Sequence, residues 1–165
     1  YCSMKKIVSL LVIVFCAIGL ASAQTVNMAA WKEAKKEAKM LEKQGWTLTN
    51  PGDLAQYMYA HLELERSPKY FSVMGDATTS MVTLAEDQAK VDALQQANDI
   101  LVAKAKSNGS LKATPGAKYM VEGLDRCMRY SFTIIRFENG GYTACRVYYL
   151  LDEEAAAKCE IVEAE

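Results

Sequence analysis

The chain carries one histidine, His61, and five cysteines, so the side-chain chemistry open to it is narrow. Hydrolysis at neutral pH needs a nucleophile beside a base poised to take its proton. His61 shares an apolar helical stripe with Leu54, Tyr57, Met58 and Leu62, the setting of a packed, hydrogen-bonded imidazole rather than of a general base. Serines are numerous, but no G-x-S-x-G, phosphate-binding loop, dinucleotide fingerprint or H-E-x-x-H spacing accompanies them. Glu63 and Glu65 stand two apart, which points them to different sides of a helix. Asp76 falls near a strand end and reads as a turn residue. With one histidine and no C-x-x-C pair, a Cys/His zinc site of ordinary spacing cannot be assembled. These residues predict no catalytic site, no metal and no cofactor. What remains is recognition: Tyr130, Tyr142, Tyr148 and Tyr149 crowd one segment and suit either packing or the grip of a planar ligand or protein partner.

The address is the clearest signal. Met4-Lys5-Lys6, an apolar run over residues 7–20 and Ala21-Ser22-Ala23 form a secretory leader with an A-x-A cleavage site. The run is shorter than the roughly 20 residues a membrane span requires. Cleavage after Ala23 is expected, leaving one domain over residues 24–165 that is exported to the periplasm, associated with the outer membrane, or secreted. Cys16 raises the rival reading of a lipidated cysteine, and bulky Phe15 before it argues against that. Lys5 and Lys6 depart with the leader, so 17 of the 19 basic side chains face all 20 acidic ones. That balance predicts no nucleic-acid partner. The mature cysteines, Cys127, Cys145 and Cys159, are odd in number, so at least one stays unpaired or bonds elsewhere.

The elements that must position these residues follow from periodicity. Residues 28–44 place Trp31, Ala34, Ala38 and Leu41 on one stripe among lysines and glutamates, an amphipathic helix ended by Gly45. Acids interleave the lysines of residues 32–39, which marks a solvated face rather than a basic patch. Asn50-Pro51 reads as an N-cap with proline at the first helical position, opening a second helix to about Glu65 that Ser67-Pro68 ends. Residues 69–80 alternate like a strand. Residues 82–107 form a long helix in which Ala85, Ala89, Ala93 and Ala97 recur every fourth position, a ridge low enough for a backbone to lie close to a sheet. Residues 108–125 read as irregular, with one helical turn around residues 119–124. Asn108-Gly109-Ser110 matches a glycosylation acceptor, against which the bacterial character of the leader weighs.

Residues 128–137 and 142–151 form a hairpin, turned by Asn139-Gly140 in a type I′ turn. That register puts Met128, Tyr130, Phe132 and Ile134 with Cys145, Val147, Tyr149 and Leu151 on one apolar face, assigned to the long helix. The opposite face is mixed, and the two N-terminal helices are its expected cover. Its apolar members Ile135, Phe137, Tyr142, Tyr148 and Leu150 are the candidate interaction surface should it stay open. The same register sets Cys127 against Asp152 and so disfavours a bridge to Cys145; a pairing of Cys127 with Cys159 stays open. Residues 152–158 begin a short last helix with acids in its first turn, and the acidic tail, residues 160–165, is expected to fray. The fold class is α+β, with a three-stranded antiparallel sheet ordered 2-3-1 packed on the long helix.

AKKEAKMLEKQGW near the mature N-terminus, KYFSVMGDATTS leading into the alanine-spaced helix, and FTIIRFENGGYTACRVYY together resemble secreted proteins of Bacteroides-type bacteria related to the LPP20 lipoprotein family. The likeness spans most of residues 28–158. It implies a Gram-negative envelope protein with a small sheet against one long helix and no established enzymatic activity; it transfers no functional residue. The expected function is therefore a non-enzymatic exported protein acting by contact with an envelope protein or a second copy. The alternative is a binding module holding a small apolar or planar ligand between the long helix and the aromatic sheet.

Overall fold

Asn27 starts the first helix by accepting the backbone N–H groups of Ala29 and Ala30 on its side-chain oxygen, at 3.1 and 3.3 Å, which satisfies two of the orphan donors of a helix end. The computed structural model describes residues 26–165, so the leader expected over residues 1–23 lies outside the described residues. Helix α1, Met28–Lys43, buries Ala30, Ala34, Ala38 and Leu41; Trp31 sits at the flank, edge-on to Tyr59. Strand β1, Thr47–Leu48, is followed by α2, Leu54–Glu65. This helix starts later than Asn50-Pro51 predicts, with Asp53 at the cap. Two causes are visible: Gly52 takes a left-handed φ of 119°, which helical backbone excludes, and Asn50 is engaged elsewhere. Its amide oxygen accepts the Thr133 N–H at 2.8 Å, and its amide nitrogen donates to the Tyr130 hydroxyl at 3.0 Å.

Strand β2, Tyr70–Thr79, leads into the long helix α3, Val82–Ser107. The alanine ridge works as its spacing predicts: Ala85, Ala89, Ala93 and Ala97 are fully buried. Opposite them β2 carries Gly75, where a Cβ would collide with the Ala89 carbonyl oxygen and the Ala93 nitrogen, so the helix backbone lies directly on the strand. At the outer edge of β2 the Asp92 carboxylate of α3 accepts the Asp76 N–H at 2.8 Å.

The remaining elements are β3, Lys118–Val121; a 3-10 turn, Leu124–Cys127; β4, Met128–Phe137; β5, Thr143–Asp152; α4, Glu153–Ala156; and β6, Ile161–Ala164. The main sheet is antiparallel with order β1-β4-β5-β2. Its three long strands thus have the expected order, with β1 added on the outside of β4. A second, two-stranded sheet joins β3 to β6, and here the sequence reading is corrected twice. The stretch before Asp125 is not wholly irregular, and the acidic tail does not fray, because Ile161 and Val162 pair with Val121 and Met120. The outer edge of β3 is completed by α3: Asn98 donates to the Tyr119 carbonyl at 3.0 Å and accepts the Val121 N–H at 2.8 Å.

The hairpin register also differs from expectation. The left-handed residues of the turn are Gly140 and Gly141, at φ 82° and 80°, because glycine takes positive φ without the cost Asn139 would bear. The turn closes with the Glu138 N–H on the Tyr142 carbonyl at 2.8 Å. Phe137 then faces Thr143 and Phe132 faces Tyr148, one position away from the predicted pairing. A β-bulge between Tyr130 and Phe132 takes up the extra residue, so Tyr130 meets Tyr149 and Met128 meets Leu151 as expected. A one-residue slip turns side chains to the other face. Phe132 and Ile134 therefore leave the α3 face and join Tyr148 and Ala144 beneath α1 and α2, with Met58, Leu54 and Trp46. Ile135 moves the other way, to Cys145, Val147, Ala85 and Ala89 under α3. The result is three layers: α1 and α2, the sheet, and α3 flanked by the small β3–β6 sheet.

Candidate functional site

His61 is placed by α2 over the bulge. It is 3% exposed, its Nδ1 lies 2.7 Å from the Ser131 Oγ, and its Nε2 lies 2.7 Å from the Ser72 Oγ. Phe132 and Tyr148, stacked on each other at 4.2 Å, each meet its ring nearly at right angles. Burial pushes its pKa down from 6.5 to about 4, so the imidazole is neutral at pH 7 and offers one donor and one acceptor. One serine hydroxyl therefore accepts from it and the other donates to it. A nucleophilic site also sets a serine against an imidazole, but there a third group on the other ring nitrogen orients the base and the serine faces substrate; here serines take both nitrogens and the ring is buried away from solvent. The bulge explains why Ser131 reaches the ring, a placement that the spacing of residues did not reveal.

The five residues expected to line one interaction face do not share one. Tyr148 and Leu150 are buried under the N-terminal helices, at 4% and 0% exposure. Ile135 packs on the α3 side with Cys145 and Val147. Phe137 and Tyr142 remain exposed beside the hairpin turn, at 74% and 51%. The physical reason is the shifted register for Ile135 and the cover supplied by α1 and α2 for the other pair. The mixed character of the covered face comes from Arg136 and Arg146, whose guanidinium groups lie 4.7 and 5.1 Å from the ring centre of buried Trp46. Arg146 also pairs with Asp76 at 2.8 Å, and Arg136 with Glu138 at 2.7 Å.

A concavity lies elsewhere, between α3 and β3. It is an open groove of about 990 Å³. Val91, Leu94 and Val102 form an apolar side on α3, Tyr119 and Val121 the wall on β3, and Asp99, Lys106, Glu122 and Asp125 the charged rim. Val91 and Met120, the latter also lining the groove, are 65% and 50% exposed. By contrast, the space between α3 and the main sheet is taken up by the alanine ridge against Gly75, Val73, Cys145 and Val147. Asn98 is the residue that sequence reasoning missed here. A lone amide beside Ala97 on the ridge flank was the available signal, and nothing in the spacing said that it would complete a strand edge.

Cys127, Cys145 and Cys159 carry free thiols. Burial pushes the Cys145 thiol up to about 11, which keeps it protonated and unreactive at neutral pH. Among the described residues no cluster of three His, Cys, Asp or Glu side chains could hold a metal ion, and no helix is long and apolar enough to cross a membrane. Compared with known proteins, the chain matches no family profile, no curated protein and no solved structure.

Proposed function

We propose that this protein is a non-enzymatic, exported component of a bacterial cell envelope that works by holding a segment of another envelope protein. The observation that carries the reading is the groove between α3 and β3, with apolar walls and a rim bearing both signs of charge. A chain segment offers both apolar side chains and polar backbone to such a surface, and the exposed Val91 and Met120 are the natural anchors. The burial of His61, with a serine on each ring nitrogen, supports the non-enzymatic part, and the leader at residues 4–23 supports export.

Immobilised protein incubated with envelope extract tests it. Saturable capture of a defined partner is expected, weakened at least tenfold by Val91→Glu or Met120→Glu and unchanged by Phe137→Ser at the far end of the hairpin. Absence of saturable capture, or equal loss from all three variants, overturns the reading. A second reading, a module for a small apolar or planar ligand, draws on the size of the groove, which falls in the range of about 300–1,000 Å³ usual for ligand sites. Native mass spectrometry of protein isolated from its own host separates the two, since a retained small molecule favours the second.

A further inference from the structure

Two of the three mature cysteines meet where the small sheet joins the body of the protein. Cys127 ends the 3-10 turn that follows β3, and Cys159 stands between α4 and β6. Their Sγ atoms are 3.2 Å apart. Each thiol also donates to the carbonyl four residues before it, Cys127 to Gly123 at 3.7 Å and Cys159 to Ala155 at 3.6 Å. Beside them the β3–β6 pairing starts, with Val121 opposite Ile161 and the Glu122 N–H on the Glu160 carbonyl at 2.9 Å. Cys145 takes no part, being held under α3 among Ala85, Ala89 and Val147.

We propose that Cys127 and Cys159 are an oxidation site, closing to an intramolecular disulfide by exchange with a small or protein disulfide and so tying β3 to β6 covalently. Cys159 is the more exposed of the two and reacts first. Its thiolate attacks one sulfur of the donor disulfide, the donor S–S bond breaks, and the released donor thiolate takes up a proton. Cys127 then gives its proton to solvent and attacks the Cys159 sulfur of the mixed disulfide, expelling the second donor thiolate. Two protein thiols have lost two electrons and two protons, and one donor disulfide has become two thiols. The 3.2 Å separation and the fixed backbone on either side mean that the second attack needs side-chain rotation only. Because β6 is otherwise held to β3 by backbone pairing, the new bond anchors the tail of the chain and stiffens the β3 wall of the groove. The inference is independent of what the groove holds.

Oxidised glutathione in excess over reduced glutathione, followed by alkylation and a tryptic map of the full chain, tests it. Trypsin cuts after Arg126 and Lys158, so both cysteines begin their own peptides, while Cys145 lies in a third. The expected result is a peptide of residues 127–129 joined to the one beginning at Cys159, with Cys145 alkylated. On oxidation the Glu122 amide, which donates to the Glu160 carbonyl across the two strands, should exchange hydrogen at least tenfold more slowly. Separate alkylated or glutathionylated peptides, a link to any other cysteine or to a second chain, or a crosslink without slowed exchange overturns the proposal.

Discussion

His61 shows how much one buried polar side chain sets the pH response of a fold. The unfolded imidazole titrates near 6.5 and the folded one near 4, so below pH 6.5 the unfolded chain takes a proton that the folded chain refuses. Its contribution to stability is therefore flat above about pH 6.5 and falls as pH drops to about 4. At roughly 1.4 kcal/mol per pH unit the total is about 3 kcal/mol. Urea unfolding at a series of pH values should show this slope, and His61→Gln should be less stable at pH 7.5 but lack it. Gly75 is the second sensitive position, for a steric reason. Gly75→Ala puts a methyl group into the backbone of α3 at Ala89 and Ala93, which cannot rotate aside, and a loss of about 3 kcal/mol is expected from overpacking of this kind. Equal urea midpoints for variant and parent would contradict the direct contact of helix and strand. The packed, hydrogen-bonded state of His61 was legible in its helical stripe, though its serine partners were not; for Gly75 the alanine spacing announced a close approach, but the glycine that meets it lies on another element and became visible only once β2 and α3 were docked.

At the scale of elements, long periodic stretches were legible and short ones were not. The 26-residue α3 and the ten-residue strands β2, β4 and β5 each repeat a pattern often enough to outweigh local ambiguity. The four-residue strands β3 and β6 do not, because each is stabilised by the other, and β3 also by Asn98, rather than by its own propensity. The hairpin fails in a different way. Asn139, Gly140 and Gly141 offer two neighbouring turns, of which the glycine pair costs less, and the bulge at Ser131 lets the structure take that turn near the loop while keeping the other register at the far end. Faces were thus read correctly for Met128 and Tyr130 and wrongly for Phe132, Ile134 and Ile135. A truncation tests the importance of the tail strand. Removing residues 160–165 leaves β3 without its partner, and a loss of about 2 kcal/mol, seen as about 6 °C in Tm, is expected for a domain of this size. The Glu122 amide, which loses the Glu160 carbonyl, should lose protection while β4 and β5 keep theirs; an unchanged melting curve would mean that the small sheet adds nothing.

For the whole molecule, the three-layer arrangement removes the broad sheet face from consideration as a docking surface and leaves the groove on the far flank of α3. The candidate site was therefore only partly legible: the tyrosines that drew attention do not line the groove, though Tyr119 of β3 does, and of its two sides periodicity detected α3 but not β3. The export expectation remains separately testable, since protein recovered from its own host should begin at Gln24 outside the cytoplasm, and a cytosolic chain still bearing residues 4–23 would contradict it. The long helix has one more consequence. Through Asp92 at β2 and Asn98 at β3 it occupies hydrogen-bonding positions on two strand rims that would otherwise recruit neighbouring chains. An intermediate in which α3 has peeled away bares both rims at once, so self-association should begin from that state, and cells would need to guard the newly made chain until its helix is seated.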